Sequence, residues 1–314
     1  MKKVTVLGAG NVGTNCALFI AEKNMADVTL IDVKPGYAAG KALDLMESGP
    51  IRDYDVVVSG SDDVYDLVYS DVIVVAAGKI REPGMSREDV LEDNVGVADT
   101  FVKEIAKLAP EAVVIVVTEP VDTMTYYILK KTGFPAHRVL GMAGALDATR
   151  AAEIIAERLG IAAMDVEAAI IGGHHDQMVF LPQYSRVSGI PVTELLSPGE
   201  IADVAEQVKN AGHEILDKMK RATAFYAPAA ATARMVETIV RDRNRILSAS
   251  VYATGEYGLT DLCIGLPIVL DKTGVSRILE LKLTDEQTKA LQASAEALRK
   301  TQATLASRLE EVAS

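Results

Sequence analysis

The sequence predicts an α/β protein in which a doubly wound parallel sheet comes first and an α+β region follows. Short runs of Val and Ile alternate with helical stretches up to about residue 140, and a glycine-rich turn follows the first run. Strands that are apolar at consecutive positions are buried on both faces, which is typical of a parallel sheet covered by helices. Because 314 residues exceed what one core usually holds, we predict two domains, residues 1–143 and 144–314.

The strands of the first domain are predicted from their β-branched residues. The predicted strands are Val4–Leu7, Val28–Ile31, Val56–Val58, Val72–Ala76, Val113–Val117 and Val139–Leu140. Strands that alternate with helices through short connections give a doubly wound sheet.

The pattern changes after Leu146, where helices and strands no longer alternate regularly. Helices are predicted at Asp147–Leu159, Ile201–Lys220 and from Ala229, and strands at Val166–Ile171, Val179–Val187, Ala249–Tyr252, Cys263–Leu270 and Ile278–Leu281. The last helix begins after Thr284, which has Gln287 three residues on, the spacing of a capping box. Its apolar positions follow helical spacing, which indicates core or subunit packing.

Composition excludes several classes of partner. The formal net charge is −12 and no basic run exceeds two residues, which argues against nucleic acid or an anionic membrane surface. The longest apolar runs, such as Val72–Ala77, are too short to span a bilayer. Cys16 and Cys263 lack metal-ligand spacing and fit a reducing compartment. With no signal-peptide pattern before the first strand, we expect a cytoplasmic protein without a membrane or nucleic-acid partner.

A dinucleotide site is predicted where the first strand ends. Residues 8–13 read Gly-Ala-Gly-Asn-Val-Gly and lead into a helix, the arrangement that brings a pyrophosphate onto a helix N-terminus in a Rossmann domain. Asp32 follows 19 residues after Gly13, at the end of the next strand, where an acid accepts hydrogen bonds from ribose hydroxyls. Because a carboxylate there repels a 2′-phosphate, NAD is expected rather than NADP.

Three further segments carry polar residues suited to chemistry on an anion. Residues 78–87 form a polar loop with Arg81 and Arg87 on either side of a Pro-Gly pair. Asp147 and Arg150 lie three residues apart on a predicted helix and therefore on one face. His174 follows two glycines at the end of a predicted strand. Taken alone, this histidine is as compatible with a structural role as with a catalytic one.

Together these segments resemble the lactate/malate dehydrogenase family, and closely its lactate-dehydrogenase-like malate dehydrogenase branch. The resemblance runs nearly end to end and adds Tyr226–Ala229 and Gly255–Gly258 to the segments above. It implies a homotetramer or homodimer that uses NAD and acts on a small dicarboxylic 2-hydroxy or 2-oxo acid. The cofactor contacts are expected at Gly8, Ala9, Gly10, Asn11, Val12, Gly13, Asp32, Asn94, Val117, Thr118 and Glu119.

The resemblance also implies roles in the reaction. His174 is expected to exchange a proton with the substrate oxygen while Asp147 orients its ring. Arg150 is expected to bind the C1 carboxylate through a bidentate pair, and Arg87 to polarise the carbonyl when the loop closes. Arg81 is expected to bind the distal carboxylate and so select a dicarboxylic acid.

The sequence departs from the family's pattern in the substrate pocket. Glu119 stands where the family has Asn beside the substrate oxygen, and His175 stands where it has Gly. An ionised Glu only accepts hydrogen bonds, so we expect it to slow oxaloacetate reduction at neutral pH. Two alternatives to malate oxidation stay open: a catalytically impaired NAD-binding protein of this fold, and a dehydrogenase for another 2-hydroxy acid, which Arg81 disfavours.

Overall fold

The computed structural model describes residues 1–80, 87–220 and 222–310, with side chains except those of Arg87, Glu88, His175 and Glu310. The first half alternates strands and helices, as predicted. Its strands are β1 (Lys3–Leu7), β2 (Asp27–Ile31), β3 (Val58–Ser61), β4 (Val72–Val75), β5 (Val113–Val116) and β6 (Val139–Gly141). Its helices are α1 (Asn11–Ala21), α2 (Tyr37–Arg52), α3 (Arg87–Asp99), α4 (Val102–Leu108) and α5 (Val121–Thr132).

These strands form a parallel sheet in the order β3-β2-β1-β4-β5-β6. From β1 the chain adds β2 and β3 toward one edge of the sheet, and it then returns to add β4, β5 and β6 toward the other edge. The strand order therefore switches between β1 and β4. In an open α/β sheet this switch point leaves a crevice at the carboxyl ends of the strands, where ligands bind. The glycine turn after β1 lies at this crevice.

The second half adds helices and mainly antiparallel strands. Its helices are α6 (Gly144–Leu159), α7 (Val192–Leu195), α8 (Pro198–Met219), α9 (Tyr226–Val240), α10 (Asp285–Ala303) and α11 (Ala306–Glu310). Its strands are β7 (Val166–Glu167), β8 (Ile170–Gly172), β9 (Met178–Phe180), β10 (Arg186–Val187), β11 (Ile190–Pro191), β12 (Arg245–Thr254), β13 (Thr260–Asp271) and β14 (Gly274–Ile278). The predicted fold class is confirmed.

The parallel sheet continues into the second half as β6-β12-β13-β8-β9, with β14 also paired to β13. The joints are narrow: β6 meets β12 through the Gly141–Ser250 pair, and β13 meets β8 through Gly265–Gly172. A Cβ on Gly265 would lie 2.4 Å from the carbonyl oxygen of Gly172, so the close strand contact requires glycine. His174, two residues after the end of β8, lines the same cavity as Thr118 and Glu119, which follow β5.

Several strand predictions were wrong in position or extent. The predicted strand Val166–Ile171 is divided into β7 and β8, which belong to different sheets. β3 begins at Val58, where the predicted strand ended, and continues through Ser59 and Gly60. The predicted strand Val179–Val187 is broken by a 3₁₀ turn at Pro182–Tyr184 into β9 and β10, because proline has no N–H for a ladder. The last predicted strand, Ile278–Leu281, lies mostly beyond β14, which ends at Ile278.

One buried apolar cluster extends through both halves of the protein. It contains Val4 and Val74 of the parallel sheet, Met235 of α9, and Ile264 and Leu266 of β13. Helix α10 packs on it through Leu291, Ala295 and Leu298, and the predicted capping box is confirmed by the reciprocal hydrogen bonds of Thr284 and Gln287. In the described residues, no helix is long and apolar enough to cross a bilayer.

Candidate active site

The glycine turn joins β1 to α1 and leaves the start of the helix open. Gly8 has a φ of +97° and lies against the backbone of Ala76, and a Cβ on Gly13 would lie 1.9 Å from the carbonyl oxygen of Gly8. A Cβ on Gly10 would meet no atom within 4 Å, and no side chain caps the helix at this position. Gly13 thus allows strand and helix to pack, whereas Gly10 leaves space in front of uncapped N–H groups, where an anion is favoured.

Asp32 lies beside this turn, immediately after β2. One carboxylate oxygen, Oδ2, accepts a hydrogen bond from the backbone N–H of Ala9 at 2.9 Å, and Oδ1 accepts from that of Lys34 at 3.1 Å. The carboxylate is partly exposed and is held at the edge of the open helix terminus. The turn and Asp32 therefore form one cradle with a positive helix end and a fixed negative group.

The turn after β5 forms the next wall of the site. Thr118 donates hydrogen bonds to the carbonyl oxygens of Val75 and Ala77, at 3.1 and 2.7 Å, and so ties this turn to the end of β4. Val117, Thr118 and Glu119 all line the central cavity, and the peptide bond between Glu119 and Pro120 is cis.

Asn94 holds the turn after β5 in place through hydrogen bonds. Its Oδ1 accepts from the N–H of Lys79 at 2.6 Å, and its Nδ2 donates to the carbonyl oxygen of Glu119 at 2.7 Å. It is 1% exposed, and the described residues that line the cavity do not include it. Asn94 thus connects the start of the 78–87 loop to the turn.

A buried histidine–aspartate pair lies at the centre of the site. His174, which follows β8, and Asp147, in the first turn of α6, are 7% and 1% exposed. Nδ1 of His174 lies 2.7 Å from Oδ2 of Asp147, and this contact directs Nε2 toward the cavity. The helical spacing puts Arg150 on the same face, with Nη1 3.4 Å from Oδ1 of Asp147, and its side chain also lines the cavity.

Glu119 reaches the other nitrogen of the same ring. Its Oε1 lies 3.4 Å from Nε2 of His174, so a carboxylate faces each ring nitrogen. Burial lowers the pKa of His174, but the charges of Asp147 and Glu119 outweigh this effect and raise the pKa to about 10. The two carboxylates therefore favour the protonated imidazole, the form that can donate a proton to an oxygen in the cavity.

Asp122 is a site residue that the sequence reading missed. Its Oδ2 accepts a hydrogen bond from the backbone N–H of His174 at 2.8 Å, and its side chain is buried in the first turn of α5. Burial raises the pKa of this carboxyl to about 6. An acidic residue in a first helical turn usually only complements the helix dipole, so its type and position gave no signal of this contact.

The central cavity has a volume of about 300 Å³ and joins the two halves of the protein. Its walls include Val12 of the glycine turn, Arg150, His174, and Thr223 and Pro228 near the start of α9. His213 of α8 is exposed and also lines the cavity. His137 is exposed as well.

Three residues that the sequence places in or near the substrate pocket lie wholly or partly outside what the structure describes. Arg81 falls in the segment that is not described, and the side chains of Arg87, which begins α3, and His175 are not described either. Lys79 and Ile80, which precede this segment, line the cavity. Among the described residues, no group of His, Cys, Asp and Glu has the arrangement of a metal site. Cys16 and Cys263 are buried free thiols.

Comparison with known proteins covers almost the whole chain. Residues 2–141 match the family model described as lactate/malate dehydrogenase, NAD binding domain. Residues 144–308 match the model described as lactate/malate dehydrogenase, alpha/beta C-terminal domain. A malate dehydrogenase from Thermomicrobium roseum is 46% identical over 298 residues, which are 95% of this chain and 96% of that protein.

Solved structures agree with these matches. The apo malate dehydrogenase of Picrophilus torridus has a TM-score of 0.93 at 39% identity, over 96% of this chain and 97% of that one. A lactate dehydrogenase of Cryptosporidium parvum, solved with lactic acid and nicotinamide adenine dinucleotide, has a TM-score of 0.93 at 34% identity. That match covers 97% of this chain and 98% of the other.

Proposed function

Because this chain belongs to the lactate/malate dehydrogenase family, we propose that it catalyses the reversible, NAD-dependent oxidation of (S)-malate to oxaloacetate. The observation that carries the proposal is the buried His174–Asp147 pair with Arg150 in the cavity that the glycine turn also lines. A proton donor beside a carboxylate-binding cation is what a 2-hydroxy or 2-oxo acid requires. Relatives named malate dehydrogenase at 42–46% identity support the choice of acid.

The residues around the glycine turn fit NAD. The space in front of Gly10 and the uncapped start of α1 suit a pyrophosphate, and the partly exposed Asp32 carboxylate suits ribose hydroxyls. Val117, Thr118 and Glu119 form the wall where the nicotinamide half would lie. Bound at these residues, NAD would supply the hydride acceptor for malate oxidation, and NADH the hydride donor for oxaloacetate reduction.

The protein supplies the proton and the charges. In malate oxidation, the hydroxyl proton passes to Nε2 of His174 as C2 loses its hydride; in oxaloacetate reduction, Nε2–H protonates the developing alkoxide. Asp147 fixes the ring and stabilises the imidazolium through the 2.7 Å contact. Arg150 holds the C1 carboxylate. In keeping with the family's pattern, we assign Arg87 to the C2 oxygen and Arg81 to the distal carboxylate.

The assembly and the division into domains remain proposals as well. We propose a cytoplasmic homotetramer or homodimer with domains at residues 1–143 and 144–314. Helix α2 exposes Leu43, Met46 and Ile51, with Leu43 66% and Ile51 83% accessible, which supports burial of this face in an oligomer. Sedimentation equilibrium of the wild-type protein would measure its mass.

Substitution of Arg81 tests the choice of substrate. Arg81→Gln should reduce kcat/KM for oxaloacetate by roughly 10²–10⁴, because a buried carboxylate loses its charged partner, and should raise relative pyruvate turnover. Arg52→Gln, at an exposed arginine paired with Glu22, is the matched control. If the Arg81 variant keeps the wild-type preference for oxaloacetate, Arg81 does not select the dicarboxylic acid.

A further inference from the structure

The contact between Glu119 and His174 adds a second carboxylate to the ring that already binds Asp147. Asp147 lies at Nδ1 and Glu119 at Nε2, 2.7 and 3.4 Å away, so the two carboxylates approach from opposite edges of the imidazole. His174's side chain is 3% exposed, whereas that of Glu119 is 47% exposed. Of the two side chains in this contact, Glu119 is therefore the one that meets solvent.

The other described charged groups near the ring or on the cavity wall come from three helices and from Lys79, which pairs with Asp93. Helix α6 contributes Asp147 and Arg150, the latter directed at Asp147, and α5 contributes Asp122, which accepts from the backbone of His174. Helix α8 contributes His213 on the cavity wall. Glu119 places its charge at Nε2, the nitrogen that exchanges a proton with the substrate.

Two opposed carboxylates stabilise the imidazolium more than one does. An opposite charge within about 4–6 Å typically moves a pKa by 1–3 units in favour of the charged form. Because the Coulomb energy falls only as the inverse of distance, Glu119 still acts after a substrate oxygen takes its place at Nε2. A neutral amide at residue 119 would leave Asp147 as the one carboxylate in contact with the ring.

We propose that Glu119 keeps His174 protonated into the alkaline range, which poises the site for reduction of the 2-oxo acid and delays oxidation of the 2-hydroxy acid until the ring loses its proton. This inference rests on the proposed function. It replaces the expectation that Glu119 slows oxaloacetate reduction, which considered the hydrogen bonds of Glu119 to the substrate but not its contact with His174. Reduction consumes the proton on Nε2 as the carbonyl carbon takes the hydride, and oxidation needs an unprotonated Nε2 to receive the hydroxyl proton. Glu119 leaves the equilibrium constant of the reaction unchanged; it sets the pH range in which each direction runs.

Titration of His174 by NMR tests this role without any substrate. The chain has four histidines, and the His174 signals in ring ¹H–¹⁵N spectra are assigned by their loss in His174→Asn. In Glu119→Gln, the pKa of His174 should fall by about one unit or more relative to the wild type. Glu111→Gln, which removes the same charge from a side chain 91% exposed at the surface, should leave it unchanged. An unchanged pKa in Glu119→Gln would overturn the proposal.

A conservative variant separates charge from structure. Glu119→Asp keeps a carboxylate at this position, so its His174 pKa should stay closer to the wild-type value than to that of Glu119→Gln. If the Asp and Gln variants titrate alike, the effect comes from altered packing and the proposal is wrong.

Kinetics provide an independent readout. In Glu119→Gln, the alkaline decline of kcat/KM for oxaloacetate and the alkaline rise for malate should both move to lower pH by about the shift seen by NMR. Profiles that coincide with the wild type would contradict the role of Glu119. If the wild type turns over neither acid, the proposed function fails, while the NMR titration still decides whether Glu119 stabilises the imidazolium.

Discussion

At the scale of single residues, the centre of the site is a buried pair of opposite charges, His174 and Asp147. Asp147 and His174 are almost fully buried, and each is the other's nearest charged partner, at 2.7 Å. Removing one partner of a buried pair is strongly destabilising, because the remaining charge is left uncompensated. The pair therefore belongs to the interior where β8 and α6 meet as well as to the proposed catalytic machinery.

Replacement of His174 should separate chemistry from cofactor binding. We expect His174→Asn to abolish turnover and to leave the Kd for NADH nearly unchanged, because the imidazole acts on the substrate oxygen and the cofactor lies alongside it. Steady-state rates and NADH fluorescence titration, both well below the Tm of the variant, measure the two effects. His137→Asn, at an exposed histidine, is the control. Comparable losses of turnover and NADH affinity would indicate a structural histidine.

The sequence predicted which residues form the central pair but not all of their contacts. Asp147 and Arg150 were recognisable because helical spacing puts positions i and i+3 on one face. The Glu119–His174 contact joins residues 55 positions apart across two elements, so no local pattern encodes it. Asp122 was missed because its sequence context is that of an ordinary first-turn acid.

At the scale of elements, the glycine turn shows two different uses of the same residue. Gly13 has no room for a Cβ, because the carbonyl oxygen of Gly8 lies 1.9 Å from where it would stand. Gly10 has an ordinary φ of −70° and open space around it. Gly13 thus allows α1 to pack on β1, and Gly10 leaves room for a ligand to approach.

A matched pair of alanine substitutions tests this division. Gly13→Ala should lower the free energy of unfolding by about 1–3 kcal/mol, since strand and helix must move apart. Gly10→Ala should leave stability unchanged but weaken NADH binding by about tenfold or more, because the methyl group occupies the space for the pyrophosphate. Chemical denaturation and fluorescence titration measure the two. Wild-type NADH affinity in Gly10→Ala would mean that the cofactor does not approach this turn.

Element types were largely predictable, whereas some boundaries were not. Buried parallel strands can be predicted from runs of Val and Ile. β3 has no such run, because it is an edge strand of the sheet and includes Ser59, Gly60 and Ser61. Gly60 is required because a Cβ there would lie 2.1 Å from the carbonyl oxygen of Ala38 in α2. That constraint comes from tertiary packing, which a local search for apolar runs does not detect.

At the scale of the whole molecule, one sheet carries both parts of the active site. The parallel strands end at the glycine turn and at Thr118, and the antiparallel extension brings β8 and His174 to the same cavity. The parallel half was predicted from runs of consecutive Val and Ile that alternate with helical stretches. The continuation through Gly141–Ser250 and Gly265–Gly172 depends on single-residue contacts that leave no pattern in the sequence.

The net charge of −12 makes the few cations of the site decisive. A dianionic substrate approaches against the overall field, so its affinity depends on local partners such as Arg150, which is 10% exposed in the cavity wall. A second carboxylate on the substrate raises its affinity only if a further cation of the protein binds that carboxylate. The preference between a dicarboxylic and a monocarboxylic acid therefore reports directly on the proposed site.

The most direct test of the proposed function compares two substrates on the wild-type protein. NADH oxidation is followed at neutral pH with oxaloacetate and, separately, with pyruvate, which has the same 2-oxo acid group but no distal carboxylate. We predict that kcat/KM for oxaloacetate exceeds that for pyruvate by about 100-fold or more, since a carboxylate-binding site rejects a substrate that leaves its cation unpaired. Equal values, or a preference for pyruvate, would contradict the assignment of malate and oxaloacetate as the substrates.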